Sequence, residues 1–319
     1  MTFVSILIPV YNVKDFIVRC IDSVAMQTYA GPLECIVVDD CGDDGSIDLA
    51  KNYIEMYKGA VSFRIIRHNR NRGLAAARNT GVASANGEFV FHLDSDDWIE
   101  KTAIEQLVEL QERTGADIVS GKALKHENSG EMVLRDPVFS TSKEMLYNSI
   151  EMKIGHVIWR RLIRRSLYVD NCIEAVEGVN IGEDYHTLPR LVFYAQKVAT
   201  LDEIVYHYNC LNPYSYMAER TMSFNMKRYH SDYSSLKILQ NFFCGKDSYC
   251  EKRLAEIEKE FLKKRMWSAA IINDYNACKE IEKDAGVGSY RIFYFSFAKL
   301  VYCKNIVKTW IKKLIKKEY

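Results

Sequence analysis

The sequence has no uninterrupted apolar run of about 18 residues, the length needed to span a bilayer, so no membrane-spanning helix is predicted. It also lacks a Cys-x-x-Cys pair, and its nine cysteines are scattered along 319 residues. An odd, unpaired set of this kind is typical of reduced intracellular thiols and argues against a disulfide framework. A strand pattern begins at Val4, so we expect no signal peptide and a cytoplasmic protein.

An excess of charge of one sign is lacking too, because 43 Lys and Arg residues stand against 42 Asp and Glu residues. Without overall basicity, we expect no nucleic-acid partner. Three common α/β enzyme motifs are also missing: Gly-x-Gly-x-x-Gly after the first strand, Gly-x-x-x-x-Gly-Lys-Ser/Thr, and Gly-x-Ser-x-Gly. Their absence disfavours a dinucleotide-binding domain, a P-loop NTPase and an α/β-hydrolase.

What the sequence does contain is a regular alternation of short apolar strands and helical segments. The spacing predicts strands at 4–10, 33–38, 63–67 and 89–93, with helices over 16–27, 46–57 and 74–85 between them. A helix at 102–113 and a strand at 117–120 follow. This order predicts a mainly parallel, Rossmann-like α/β sheet flanked by helices on both faces.

Polar residues follow each predicted strand directly. They are Tyr11 and Asn12, Asp39 and Asp40, residues 71–73, and residues 94–97. Because parallel strands bring their carboxyl ends to one edge of a sheet, we expect these four clusters to form a single binding site.

The acidic cluster has two interpretations. Asp94 and Asp96 lie two residues apart, and in extended backbone both would point to the same side, where Mg²⁺ or Mn²⁺ would relieve their repulsion. The same residues also fit a solvated turn that caps the helix starting near Lys101. A bound phosphate would further need cations, for which Arg72 and Arg78 are the candidates.

Several segments carry a resemblance to a known family. They are SILIPVYN (5–12), VVDD (37–40), ARNTG (77–81), GEFVFHLDSDDW (87–98), WRRLIR (159–164) and GED (182–184). In this order they resemble the family 2 inverting glycosyltransferases, which use nucleotide sugars and have the GT-A fold. The resemblance covers about residues 1–215.

The resemblance implies a role for each matching position. The residues that it assigns to the nucleotide are Pro9, Tyr11, Asn12, Asp39, Asp40, Gly73, Arg78, Asp94 and Ser95. Tyr11 would lie against the base, which is uracil by preference, and Asp40 would accept its ring N–H. Asp96, with Asp94, would hold the Mn²⁺ or Mg²⁺ that bridges the diphosphate, and Asp97 would support it.

Glu183 and Asp184 match the family's acidic pair, of which Asp184 would be the catalytic base. By itself the pair also fits an ordinary acid-rich helix N-terminus. The implied reaction moves a sugar from a UDP-sugar to a hydroxyl of a glycan or lipid-linked saccharide, with inversion. A carboxylate takes the proton of the attacking hydroxyl, and a cation stabilises the leaving diphosphate. The alternatives are a non-catalytic nucleotide-sugar or glycan-binding module and a sugar nucleotidyltransferase.

The sequence departs from the family pattern in two places. The second strand is followed by Asp-Asp-Cys-Gly instead of the more usual Asp-Asp-Gly-Ser. Residues 209–215 contain no arginine, whereas many relatives carry one there. One phosphate contact is therefore in doubt. His92 and His207 are possible metal ligands, although a lone histidine is more often a hydrogen-bonded structural residue.

Beyond residue 220 the motifs stop and the pattern becomes helical, so we divide the chain into a catalytic domain (1–220) and a helical region (221–319). The last segment, 299–319, combines a broad apolar face with a row of lysines. Such a basic amphipathic helix fits a peripheral contact with the inner face of the cell membrane, packing on the catalytic domain, or a homodimer contact.

Overall fold

The structure is a computed structural model and describes residues 1–213, 215, 222–271, 280–281 and 283–284. The predicted amphipathic segment 299–319 lies outside these residues. Within them, no helix is both long enough and apolar enough to cross a membrane.

Strands and helices alternate along the first half of the chain, as predicted. The strands are β1 (Val4–Val10), β2 (Leu33–Asp39), β3 (Ser62–Arg67), β4 (Phe89–His92), β5 (Trp98–Ile99), β6 (Ile118–Glu127), β7 (Gly130–Leu134), β8 (Arg161–Arg164) and β9 (Val198–Asn209). The helices are α1 (Ile17–Ala25), α2 (Ser46–Met56), α3 (Leu74–Ser84), α4 (Ala103–Thr114), α5 (Ser142–Ile150), α6 (Ser166–Val169), α7 (Glu183–Tyr194), α8 (Met222–Phe243) and α9 (Ser248–Ile271).

The described strands form one sheet in the order β3-β2-β1-β4-β8-β6-β9-β5, with β7 paired to β6. Strands β3, β2, β1 and β4 are parallel, which confirms the predicted sheet and brings their carboxyl ends to one edge. The second half is mixed, because β8 runs antiparallel to both β4 and β6. The short strand β5 joins the far edge by pairing antiparallel with β9.

The central strands β1, β2 and β4 are buried on both faces of the sheet, which is why β1 is an almost unbroken apolar run. Ile6 and Ile8 pack into a core with α1, α2 and α4, whereas Leu7 faces the opposite core with α3, α5 and α7. Burial of both faces is the usual arrangement of parallel strands, and it removes the period-two pattern of a half-exposed strand.

Helices α8 and α9 add a further layer on the α7 side. Leu236, Leu239 and Phe243 of α8 and Leu254 of α9 are buried in the same core as Leu188 and Leu191 of α7. This contact matters for the site because α7 begins with Glu183 and Asp184. The division of the chain at residue 220 stays a prediction.

Candidate active site

The end of β1 contributes the first residues of the site edge. Pro9 is buried inside β1, opposite Val38 of β2. Proline has no backbone N–H, but none is needed here. The backbone nitrogen of Pro9, like that of Leu7, faces β4, and the pairing of β1 with β4 ends at Leu7 and His92. Tyr11, at 49% exposed, is free to meet a ligand.

Asn12 has a structural task beside any contact with a nucleoside. It adopts a left-handed backbone conformation (φ 52°), and its Oδ1 accepts the N–H of Asp43 at 2.9 Å. A side chain on Gly42 would collide with that same Oδ1 atom. Asn12 therefore holds the β2–α2 loop against the end of β1. Its predicted contact with the nucleotide stays a prediction.

The two aspartates at the end of β2 are both buried. Oδ1 of Asp40 accepts the N–H of Arg72, Oδ2 accepts the N–H of Gly73, both at 2.8 Å, and His68 Nδ1 lies 2.6 Å from Oδ1. Asp39 accepts the N–H of Cys41 at 3.0 Å. The Asp40 carboxylate thus shapes the β3–α3 loop, and little of its accepting capacity is left for a base.

Arg78 of α3 lies at the centre of the acidic residues and is only 4% exposed. Its Nη2 is 3.2 Å from Asp94 Oδ1 and 3.8 Å from Asp184 Oδ1, and its Nε is 3.3 Å from Glu183 Oε1. Burial alone would lower the pKa of Arg78, but Asp94, Asp184 and Glu183 outweigh it and raise the pKa. Here the guanidinium faces carboxylates, and a contact with phosphate stays a prediction.

Asp94, Ser95, Asp96 and Asp97 form a closed turn. The N–H of Asp97 donates to the carbonyl of Asp94 at 3.0 Å, so the backbone here is a turn and the expectation of extended backbone is wrong. That Asp94 and Asp96 together hold a metal stays a prediction. The interpretation as a solvated helix cap is also wrong. Asp97 is 1% exposed and Ser95 is buried, and β5 lies between the turn and α4.

The three carboxylates of this turn have different partners. Asp97 accepts the Tyr206 hydroxyl at 2.6 Å and the N–H of Asn209 at 2.7 Å, so it holds the end of β9. Asp96 Oδ2 accepts Nδ2 of Asn212 at 2.8 Å. Burial, together with the neighbouring carboxylates, raises the pKa of Asp97 and of Asp96. Asp97 therefore holds the turn in which Asp94 and Asp96 lie, and its predicted support of a metal ion stays a prediction.

A divalent cation fits this turn. Oδ1 of Asp94 is buried and has Arg78 Nη2 at 3.2 Å as an ion-pair partner but no hydrogen bond. Burial and the charge of Asp94 both raise the pKa of Asp96, and a cation would relieve the repulsion between the two carboxylates. Within the described part of the chain, no three His, Cys, Asp or Glu side chains are arranged to hold a metal by themselves. Mg²⁺ in proteins is often bound by one or two carboxylates together with substrate phosphates.

The acidic pair begins α7 directly after Gly182, whose backbone is left-handed (φ 74°). The Asp184 side chain is 13% exposed and that of Glu183 6%, so Asp184 is the more accessible of the two. Burial raises the pKa of both carboxyls, that of Glu183 to about 8, while Arg78 opposes the shift. The structure thus brings Glu183 and Asp184 to Arg78, which also contacts Asp94 of the acidic turn.

Sequence reasoning missed Tyr206, Asn209 and Asn212, which bind the acidic turn from more than 100 residues away. The only signal was the stretch 209–215 that lacks the expected arginine, where Asn209 and Asn212 lie.

His92 and His207 both have hydrogen-bonding partners in the protein, which fits the structural role that was favoured over metal binding. His92 Nε2 lies 3.1 Å from the Tyr168 hydroxyl, and His207 Nε2 lies 2.8 Å from Glu100.

Curated relatives at about 30% identity match nearly two thirds of the chain. The glycosyltransferase GlyA of Streptococcus pneumoniae is 31% identical over 218 residues, which cover 64% of this chain and 30% of that protein. The uncharacterized glycosyltransferase EpsJ of Bacillus subtilis is 32% identical over 213 residues, covering 64% and 60%. The chain thus spans less than two thirds of the length of these relatives.

Solved structures share the fold over nearly the whole chain. S. aureus TarS 1–349 in complex with UDP-GlcNAc superposes with a TM-score of 0.62 at 16% identity, covering 95% of this chain and 92% of that one. The mannosyltransferase PcManGT from Pyrobaculum calidifontis, in complex with GDP-Man and Mn²⁺, gives 0.53 at 16% identity, covering 95% and 87%. The predicted GT-A architecture is confirmed at the level of the fold.

The model of the family described as "Glycosyl transferase family 2" matches residues 5–166, about half of the chain, and the protein belongs to that family.

Proposed function

We propose that this protein is an inverting glycosyltransferase that moves a sugar from a nucleoside diphosphate sugar to an acceptor hydroxyl, with Asp184 as the general base. The observation that carries the proposal is the position of Arg78. One guanidinium lies 3.2 Å from Asp94 of the acidic turn and 3.8 Å from Asp184. A single side chain, that of Arg78, therefore lies between Asp184, the candidate base, and Asp94, on the side proposed for the diphosphate.

Asp184 suits the role of base for two reasons. It is more accessible than Glu183, and Arg78, whose Nη2 lies 3.8 Å from Asp184 Oδ1, opposes the rise in pKa that burial causes and so favours the ionised form. A positioned general base contributes about 10²–10⁴-fold to such a reaction. Glu183 shares the guanidinium with Asp184, and we assign it to holding Arg78.

The acidic turn is the proposed leaving-group side. Asp94 and Asp96 would hold Mn²⁺ or Mg²⁺, which when bound supplies Lewis-acid stabilisation of the departing diphosphate. Tyr206 and Asn209 hold the carboxylate of the neighbouring Asp97, and Asn212 donates to the carboxylate of Asp96. A base and a leaving-group site on opposite sides of the sugar lead to direct displacement with inversion, without a covalent intermediate.

The nucleotide is proposed to lie along the ends of β1 and β2. Tyr11 offers an exposed ring for the base, and Asp40 holds the backbone N–H of Gly73 in the β3–α3 loop. We favour a UDP-sugar, in keeping with UDP-GlcNAc in the TarS structure, although GDP-Man in PcManGT shows that the fold also serves guanine. The proposed acceptor is a hydroxyl of a glycan or of a lipid-linked saccharide. A peripheral membrane contact or dimer through 299–319 stays a prediction.

The test is release of UDP from UDP-GlcNAc with Mn²⁺, compared among wild type, Asp184→Asn and Glu183→Gln. We expect Asp184→Asn to lower kcat by about 10²–10⁴-fold and Glu183→Gln to lower it much less. Turnover that survives Asp184→Asn would remove Asp184 from its role. Binding of UDP without turnover of any donor would favour the binding module. The configuration of the transferred sugar, read by NMR, tests inversion.

A further inference from the structure

The loop that leads into the acidic pair, residues 174–182, is held from two sides. On one side it is bonded to α3. Asn79 of that helix donates Nδ2 to the carbonyl of Ala175 at 2.8 Å and accepts the N–H of Ala175 at 2.9 Å. Because α3 also carries Arg78, which contacts both carboxyls of the pair, this side of the loop is fixed to the helix that faces the candidate base.

The other side of the loop meets two fully buried side chains, His186 of α7 and Ser235 of α8. His186 Nε2 accepts the backbone N–H of Val176 at 3.1 Å, and its Nδ1 lies 3.0 Å from Ser235 Oγ. The hydroxyl of Ser235 in turn donates to the carbonyl of Gly182 at 3.2 Å. These three contacts connect the loop, α7 and α8 in one chain of hydrogen bonds.

The two ends of this chain fix where its protons lie. A backbone N–H can only donate, so His186 Nε2 is the ring nitrogen without a proton. A carbonyl oxygen can only accept, so the Ser235 hydroxyl donates to Gly182 and accepts from Nδ1 of His186. The ring is therefore neutral, with its proton on Nδ1. Burial and the charge of Arg190 act in the same sense, because they lower the pKa of His186 to about 3.

The carbonyl of Gly182 closes the first turn of α7. It also accepts the N–H of Tyr185 at 3.0 Å, so the turn that it closes contains Glu183 and Asp184. Glycine adopts the left-handed backbone found here (φ 74°) without strain, but it is also freer to move than other residues. The hydrogen bond from Ser235 thus restrains the residue on which the direction of Asp184 depends.

We propose that His186 and Ser235 are positioning residues for the reaction: they hold the carbonyl of Gly182, and with it the turn that keeps Asp184 beside Arg78. The proposal rests on the function proposed above, in which Asp184 is the general base. It also gives α8 a task in the reaction, although this helix lies beyond the residues that match the family model.

The first experiment measures kcat and KM for UDP release from UDP-GlcNAc with Mn²⁺. For Ser235→Ala we expect kcat to fall by about 10- to 100-fold with little change in KM, since a displaced base loses reactivity and not donor binding. Ser235→Cys places a weaker donor at the same position and should give an intermediate kcat.

Ser149→Ala is the matched control. Ser149 of α5 is equally buried, and its hydroxyl also donates to a backbone carbonyl, that of Leu146 in the same helix, at 2.6 Å. The two alanine variants therefore lose the same group from similar surroundings, and Ser149→Ala should keep kcat near the wild-type value. Equal values of kcat in the two variants would overturn the proposal.

A second experiment uses the wild-type protein and needs no activity. Nitrogen NMR of protein with labelled histidine shows which ring nitrogen of His186 carries the proton at pH 7, with His186→Gln identifying the signal. We expect a neutral ring protonated on Nδ1. A proton on Nε2 would exclude the bond from Val176 and overturn the proposed chain.

A third experiment tests the restraint on the turn itself. Hydrogen–deuterium exchange of the peptide that contains 182–187 should accelerate in Ser235→Ala and stay near the wild-type rate in Ser149→Ala. Equal exchange in the two variants would contradict the proposal. Wild-type protein without turnover would instead refute the proposed function, and the exchange and NMR results would still decide whether the chain of hydrogen bonds holds Gly182.

Discussion

Removing the hydroxyl of Tyr206 is the sharpest test of how the acidic turn is held. This buried hydroxyl donates to Asp97 Oδ2 at 2.6 Å and accepts the N–H of Asp94 at 3.1 Å. It thus connects β9 to both ends of the turn that carries the candidate cation ligands. Tyr206→Phe deletes only the oxygen, because the ring keeps its stacking on Trp159 at 4.6 Å.

The expected cost follows from the two hydrogen bonds. A bond to a charged group contributes about 1.5–3 kcal/mol, and a buried N–H without an acceptor costs about 1–3 kcal/mol. The substitution removes one bond of the first kind and creates one orphan N–H, with no cavity of the size of a ring. Allowing for partial relaxation of the turn, we expect the free energy of unfolding to fall by about 3 kcal/mol, roughly a hundredfold in the folding equilibrium.

Urea-induced unfolding at pH 7 measures this loss, and Tyr208→Phe is the matched control. Tyr208 is on the same strand and also packs on Trp159, with ring centroids 5.2 Å apart. Among the described residues its hydroxyl forms no hydrogen bond with the acidic turn, although Asp97 and Asp94 are close enough to raise its pKa. We expect the control to lose less than about 1 kcal/mol, the usual net value of a neutral hydrogen bond. A Tyr206→Phe loss as small as that of the control would refute the view that this hydroxyl holds the turn.

Three further changes have outcomes that follow from the geometry. Folding raises the pKa of Glu183 from 4.5 to about 8, so the free energy of unfolding falls as the pH rises through this window; Glu183→Gln should flatten that fall in unfolding measured from pH 4 to 9. Gly73→Ala puts a Cβ 2.4 Å from Asn180 Nδ2 at a φ of 87°, and should lose more stability than Gly178→Ala, which has the same φ but open space around it. Asp40→Asn weakens the acceptor of two backbone N–H groups, and calorimetry with UDP and Mn²⁺ should show weaker binding without a matching loss of helix content.

The parallel half of the sheet could be predicted because the residues that determine each strand are neighbours in the sequence. Each strand from β1 to β4 is a short apolar run with polar residues directly after it, and the connections between them are single helices. The topology then follows from the general rules for βαβ units, and with it the convergence of Asp40 and Asp94 on one edge. No knowledge of distant contacts was needed for that step.

The mixed half of the sheet was not predictable in the same way. Strand β8 separates β4 from β6, although both of its neighbours precede it in the chain, and β6 pairs with β9 through an irregular register. Antiparallel insertion and register shifts depend on side-chain packing between segments far apart in sequence. Periodicity within a window of about ten residues contains no such information.

The same distinction explains the predictions made for Arg78. Its place in α3, next to the edge of the sheet, could be inferred from its position after β3, and a cation there predicts a contact with phosphate. Burial changes the argument, because a guanidinium that is 4% exposed needs anions of the chain itself, and here they are Asp94, Glu183 and Asp184. These carboxyls outnumber the single guanidinium, and burial raises the pKa of Glu183 to about 8, so Glu183 adds its full charge only above neutral pH. In the proposed mechanism Arg78 serves the donor indirectly, by keeping Asp184 and the acidic turn at a fixed separation.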